Sequence, residues 1–137
     1  MSKSDASELD ILKYVLAGIA PTWQSYSNLF LSLHTADPGE AGAQNTSEAA
    51  YGGYTRVTIS RSTTAWTISG TTNGVSVIAF SFPACVTGSA TVTHVGLGIT
   101  FSGTGELLYS GTLSASLAIS TGITPSFDTG SVTITED

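Results

Sequence analysis

The hydrophobic period of the chain changes once, near Trp23, and that change limits the folds open to it. Before it, Leu9, Leu12, Leu16 and Ile19 recur at spacings of three and four, and Ile11 and Val15 widen the stripe. Asp5 or Ser7 can cap such a helix, Glu8 suits its first turn, and Gly18 and Pro21 supply a stop. The reading is one short amphipathic helix over 7–19. After Trp23 the period is two. Strands are expected over 28–35, 54–60, 64–69, 75–82, 90–100, 106–110, 113–119 and around 132–134, with an extended piece at Phe127. In the second strand Val57 and Ile59 point inward while Arg56 and Thr58 point outward. Turn signals every 8–12 residues, including one at 70–74, argue for a mostly β domain. The layout expected is a sandwich or jelly roll of about eight antiparallel strands, preceded by the helix. The division is a helical arm over 1–27 and a β-sandwich over 28–137. The chain carries no internal repeat.

One irregular stretch breaks this rhythm. Residues 36–53 hold Asp37-Pro38-Gly39, Gly42, Asn45 and Gly52-Gly53. Asp-Pro-Gly is turn chemistry, because proline fixes φ and glycine accepts φ > 0. So long a loop in a compact domain is often functional.

Charge narrows the function classes. Only 10% of residues are charged, the net charge is -6, and no Lys or Arg follows Arg61. Nucleic-acid affinity comes mainly from Lys and Arg neutralising phosphates, so neither nucleic acid nor an anionic membrane surface is an expected partner. With 20 serines and 21 threonines, the expected surface is neutral and rich in hydroxyls. A single cysteine, Cys85, excludes an intrachain disulfide. No run approaches the roughly 20 apolar residues of a membrane span. The N-terminus lacks the apolar core of a signal peptide, so the expected place of synthesis is the host cytoplasm.

Convergent chemistry is scarce. His34, Asp37 and Glu40 lie three apart, but that spacing converges only on a helix, and here a turn separates the acids from a strand-end histidine. His94 sits mid-strand, out of phase with Val95, Leu97 and Ile99. No Gly-x-Ser-x-Gly elbow is present, although counting serines does not by itself exclude a Ser-His-Asp triad. Gly103-Thr104-Gly105 is followed by no helix, so it fails as a phosphate cradle. Cys85 reads as a buried, inert thiol. The expectation is therefore no enzyme, no metal and no cofactor. Of the aromatics, Phe30 and Trp66 read as core, whereas Tyr51 and Tyr54, flanking Gly52-Gly53, are candidates for a contact surface.

An ordered series of short motifs adds to this. Leu31-Ser32-Leu33-His34-Thr35-Ala36-Asp37-Pro38-Gly39 opens it, and Gly53-Tyr54-Thr55-Arg56, Phe82-Pro83 and Thr93-His94-Val95-Gly96 follow. Leu107-Leu108-Tyr109-Ser110-Gly111-Thr112-Leu113 and Gly122-Ile123-Thr124-Pro125 complete it. The series, over about 28–137, resembles a family of small structural proteins of tailed bacteriophages: capsid decoration (cement) or tail-fibre-like proteins. The resemblance implies a β-sandwich or jelly-roll body, self-association and a place on the outside of a virion, with no catalytic residues.

The first expectation is a decoration protein on the capsid surface. It would bind the major capsid protein of the assembled shell as a homo-oligomer, a dimer or trimer, and stabilise that state by linkage. Its expected contacts are Leu12, Leu16 and Trp23 of the arm, which should be separable from the β body, and Tyr51, Tyr54 and Arg56 at the loop's end. Arg56 is also expected to fix the loop by a bidentate contact to Asp37, Glu40 or Glu48. The alternative is a tail or tail-fibre component binding a host glycan or protein, with Tyr51, Gln44, Asn45 and Glu48 as a sugar site. A polysaccharide hydrolase is the remaining reading.

Overall fold

The computed structural model describes residues 1–68 and 74–135. The turn expected at 70–74 and the end of the strand expected over 64–69 lie largely outside them. The helix α1 spans Asp5–Ala17, two residues earlier than expected, because Ser4 rather than Asp5 or Ser7 caps it. The Ser4 hydroxyl accepts from the Ser7 amide at 3.1 Å and donates to the Leu107 carbonyl, so the cap also fastens the helix to the body. Asp5 and Glu8 occupy the first turn, where the helix dipole favours acids. Gly18, at φ 66°, ends the helix in the left-handed conformation, and the Ile19 amide reaches back to the Lys13 carbonyl at 3.1 Å.

Among the described residues the strands are β1 (Ser2–Lys3), β2 (Asn28–His34), β3 (Val57–Ser60), β4 (Trp66–Ile68) and β5 (Gly74–Val77). They continue with β6 (Phe80–Ser81), β7 (Ser89–Gly98), β8 (Leu107–Ser120), β9 (Ser126–Phe127) and β10 (Thr133–Thr135). One sheet has the order β1-β8-β7-β2-β3, a second β10-β5-β4, and a third pairs β6 with β9, all antiparallel. The protein is mostly β with one N-terminal helix, as the period-two pattern requires. Its large sheet packs against smaller ones as a sandwich, with one shared core. Leu29, Leu31, Leu33, Val95, Leu97 and Ile119 meet Val77, Phe80, Phe82, Val132 and Ile134 there. Phe80 and Phe127 stack at 4.8 Å, and Phe82 meets both edge-on.

Three elements differ from expectation for identifiable reasons. The strands expected at 106–110 and 113–119 are one strand, β8. Its pairing with β7 runs in unbroken register from Tyr109 through Gly111 to Thr112, and the shift opposite Val92 and His94, a bulge in place of a turn, falls farther on, between Thr112 and Leu117. The strand expected over 75–82 is two, β5 and β6, which pair with different partners; between them Ala79 donates its amide to the Thr129 hydroxyl. The arm is not separate from the body. Ser2 and Lys3 form an edge strand against Ser110 and Tyr109, and Met1 packs on Gly111.

Strand β2 is buried on both faces. Leu31 and Leu33 enter the core, while Ser32 and His34 lie beneath the segment that follows the strand. That segment is the long irregular stretch, folded back over the large sheet.

Candidate functional site: a sealed polar network and an outward helix face

The 36–56 segment is held to the sheet by side chains that satisfy one another. Arg56 is buried and makes a bidentate contact to Glu48, Nε to Oε1 at 2.7 Å and Nη2 to Oε2 at 2.8 Å. Of the three acids expected for this role, Glu48 has it. The other guanidinium protons reach the Thr100 carbonyl and hydroxyl, at 2.9 and 3.0 Å, and the Gly103 carbonyl at 2.7 Å. A buried guanidinium is stable only when its donors find acceptors, and this one is surrounded by them. Tyr54 donates to Glu48 Oε1 at 2.9 Å and accepts from the Leu33 amide at 3.1 Å; burial raises its phenol pKa.

Gln44 is the second anchor. It is fully buried, and its Oε1 accepts from the amide and hydroxyl of Thr100 at 2.9 and 3.0 Å. Its side chain lies flat over Gly98, where any Cβ would overlap its Cγ and Cδ. Gly96 makes the same allowance for its neighbours: a Cβ there would stand 2.6 Å from His34 Nε2 and 2.8 Å from Ser32 Oγ. These two glycines let a polar layer lie directly on the strand.

Ser32 and His34 form a pair with the outward form of a nucleophile and its base. Ser32 Oγ is 2.8 Å from His34 Nε2, and His34 Nδ1 is 2.8 Å from the Thr46 carbonyl. A carbonyl only accepts, so the proton sits on Nδ1, and the serine hydroxyl donates to Nε2. Burial lowers the His34 pKa and keeps the ring neutral. Both residues have 0% exposure, so no substrate reaches the serine, and the histidine is oriented by a carbonyl where a triad has a carboxylate. The pair is a structural tie between β2 and the segment above it.

Among the other polar candidates, Asp37, Glu40 and His94 line one polar pocket of about 290 Å³ with Ser110 and Thr112, without the geometry of a metal site. Asp37 is exposed and its carboxylate accepts from the Gly39 amide at 2.9 Å, closing the expected turn away from His34. His94 lies opposite His34 across β2 and β7, between the hydroxyls of Thr93 and Thr112. The Cys85 thiol is buried against the carbonyls of Thr87 and Gly88. An apolar cleft of about 410 Å³ opens between the sheets, lined by Leu29, Trp66, Ile68, Val75 and Ile134 with Arg61 at its edge. Tyr109 also lines it, and among the described lining residues there is no carboxylate, histidine or cysteine. Among the described residues, no His/Cys/Asp/Glu cluster has metal-binding geometry, and no helix is long and apolar enough to cross a membrane.

The six residues expected to touch a partner separate into two sets. Tyr51 and Arg56 are interior, and Tyr54 is half-buried with its hydroxyl in the network. Tyr51 donates to the Pro83 carbonyl at 2.8 Å and meets Tyr54 edge-on. This corrects the outward placement of Arg56 and the partner-facing loop end: internal acceptors replace the water that these charged and phenolic groups give up on burial. The sugar site drawn around Tyr51 does not form either, since Gln44 and Tyr51 are buried and Glu48 is committed to Arg56. Trp23 is half-buried; its indole N–H donates to Asp10 at 2.8 Å, and the Arg61 guanidinium lies over its ring.

Leu12 and Leu16 are the opposite case. Helix α1 meets the body through Ser7, which is buried, and through the half-buried Asp10 and Ile11. Its leucines face away. Leu9 is 50% exposed, Leu12 55%, Val15 70% and Leu16 79%. Asp10 approaches Glu106 of the body, whose Oε1 is buried without a hydrogen-bond partner. Burial, and then the Asp10 charge, raise the Glu106 pKa to about 7. The helix thus docks by its polar side and presents its apolar side to solvent, the reverse of the usual surface helix.

No curated protein matches the chain. A family model described as podophage GP4 fiber I protein gp80 matches residues 2–135, which takes in the edge strand, the helix and both faces of the sandwich. With the match running over nearly the whole length, the chain belongs to the podophage GP4 fiber I protein gp80 family, a family of phage structural proteins.

Proposed function

We propose that this protein is a non-catalytic fibre component of a bacteriophage virion, joined to its neighbours through the outward face of α1. The observation that carries the reading is the row of exposed leucines on a helix that is itself capped and anchored. A contiguous row of exposed apolar side chains marks an interaction surface, whereas the other exposed hydrophobics, such as Val86 and Phe101, stand apart from it in sequence. The family description, a fibre protein, favours a tail or fibre position over the capsid-surface position expected from the motif series. The sealed network argues against catalysis at Ser32 and His34, because that pair is bonded out of reach of substrate. The host-binding part of the fibre reading then falls to the hydroxyl-rich outer surfaces of the β body.

Quantitative mass spectrometry of purified virions tests the placement. A fibre component is expected at a few tens of copies per particle or fewer. A shell decoration protein would approach one copy for every one to three major capsid proteins, following the lattice symmetry. Lattice-level copy number would restore the capsid reading, and absence from the particle would discard both.

A further inference from the structure

We propose that the outward face of α1 is a short parallel coiled-coil seam whose occupant is the same helix of a second copy of this chain. The claim deepens the preceding reading only in naming the partner, and it stands or falls independently of where on the particle the protein sits.

The spacing carries the first part. Leu9, Leu12 and Leu16 follow one another at three and four residues, and Ile19 continues the series just past Gly18. These are the a and d positions of a heptad, the positions that face a partner helix. Counted in that register, Ser7 and Tyr14 fall at f, Asp10 at b and Ile11 at c, the side that a coiled coil turns away from its seam. Ser7, Asp10 and Ile11 are the residues through which the helix meets its own body. The body therefore occupies the side that a coiled coil leaves free, and leaves free the side that it uses.

Charge selects the occupant and its direction. Glu8 falls at g and Lys13 at e, one on each side of the leucine row, and both are exposed. In a parallel pair, g of one helix meets the e five residues on in the other, and five residues separate Glu8 from Lys13. Two copies related by a twofold axis then form two Glu8–Lys13 contacts. An antiparallel pair that buries the same leucines would set Lys13 beside Lys13 near its centre and leave Glu8 at the ends, beside Val15, without a Lys13 partner. The surface is thus self-complementary in one orientation, which an isologous contact requires. A helix of 13 residues, with Leu9, Leu12 and Leu16 as its seam positions, is too short for isolated peptides to pair well, but this one is already ordered by the Ser4 cap, the Gly18 stop and its seat on the body. The ordering cost that makes short helices marginal is met before association.

Sedimentation equilibrium of the full chain is the test. At about 100 µM the wild type is expected to run as a multiple of its 14.0 kDa monomer. The L12D/L16E variant should run as a monomer at the same concentration, with an unchanged circular dichroism spectrum and, at a dilution where the wild type is also monomeric, an unchanged thermal midpoint. E8K and K13E should each weaken association at low salt by roughly threefold to tenfold, and the double variant E8K/K13E should recover it. Under mild oxidation L12C should yield a symmetric disulfide between copies, since a parallel in-register seam sets the two position-12 side chains against each other; the native thiol of Cys85 is buried. A wild type that stays monomeric at this concentration overturns the proposal and gives the leucine face to a different polypeptide. An oligomer indifferent to L12D/L16E overturns it as well. An oligomer that L12D/L16E dissolves, but which E8K/K13E fails to recover and L12C fails to cross-link, overturns the parallel register.

Discussion

The 36–56 segment and the helix α1 exchange the places that their compositions suggest. The segment is rich in polar and turn residues, yet Gln44, Glu48, Tyr51 and Arg56 are built into the interior. The helix is rich in leucine, yet its leucines lie outside. What decides is the availability of partners. The side chains of the segment find partners on one another, on β2 and on Thr100 and Gly103, so covering them with protein leaves few polar groups without bonds. The helix brings Ser7 and Asp10 to positions where Trp23 and its own cap receive them, and its apolar side meets nothing within the chain. A polar network complete in itself signals structure, whereas an apolar face without a complement signals association.

This contrast can be broken most forcefully in the segment. Arg56→Ala leaves the Glu48 carboxylate beside an empty, partly desolvated site and orphans the Thr100 and Gly103 carbonyls. Removing one partner of such a pair costs about 3–5 kcal/mol, so the urea midpoint should fall sharply or the chain should fail to fold. A variant of wild-type stability would show that the network is exposed in solution. Gly98→Ala comes next. Its Cβ forces Gln44 off Thr100, with an expected loss of about 1–3 kcal/mol by chemical denaturation. A neutral result would mean that the segment does not lie on the strand.

The junction between the two regions gives a smaller, pH-dependent effect. Glu106 ionises at about 7 in the folded protein and near 4.5 when unfolded, because it is buried and faces Asp10. Between these values the folded state holds the extra proton, so this group's contribution is complete below about pH 4.5 and is lost as pH rises through 7. The thermal midpoint of the wild type should therefore fall more steeply than that of Glu106→Gln between pH 5 and 8. The comparison also removes the general effect of the net charge of -6, which both proteins share apart from this one group. Parallel curves would place Glu106 in water. Smallest of all is the expected stability change in L12D/L16E, within about 0.5 kcal/mol when both proteins are diluted to monomers, since both side chains are exposed in the single chain. A large loss would mean that the helix packs by its leucine side.

Much of this was legible in the sequence, for physical reasons. Period-two alternation placed β2, β7 and most of β8, because half-buried strands impose it directly. The helix was legible in its stripe, and its stop in Gly18. The bidentate use of Arg56 followed from the scarcity of cations in a chain with acids close by. Three features were not legible. Ser2 and Lys3 gave no strand signal, since two residues pair only because β8 offers an edge. The direction in which α1 docks depends on Ser4 and Ser7, and small hydroxyls are too common in this chain to mark a contact. The burial of Gln44 depends on Gly98 and Gly105, far away in sequence, opening space for it, and Gly96 does the same for His34 and Ser32. Glycines at alternate positions of β7 were the one signal that could have shown it, because a strand gives up side chains on one face only where something else lies against it.

The central claim is that the leucine face of α1 is the surface through which this protein enters its assembly. It is tested most directly by counting copies of the chain in virions produced with wild-type protein and with L12D/L16E, by quantitative mass spectrometry of gradient-purified particles. The account predicts a fixed number of copies in wild-type particles and near-complete loss of the variant, which remains folded and soluble in the lysate. Equal incorporation of the two proteins would contradict it.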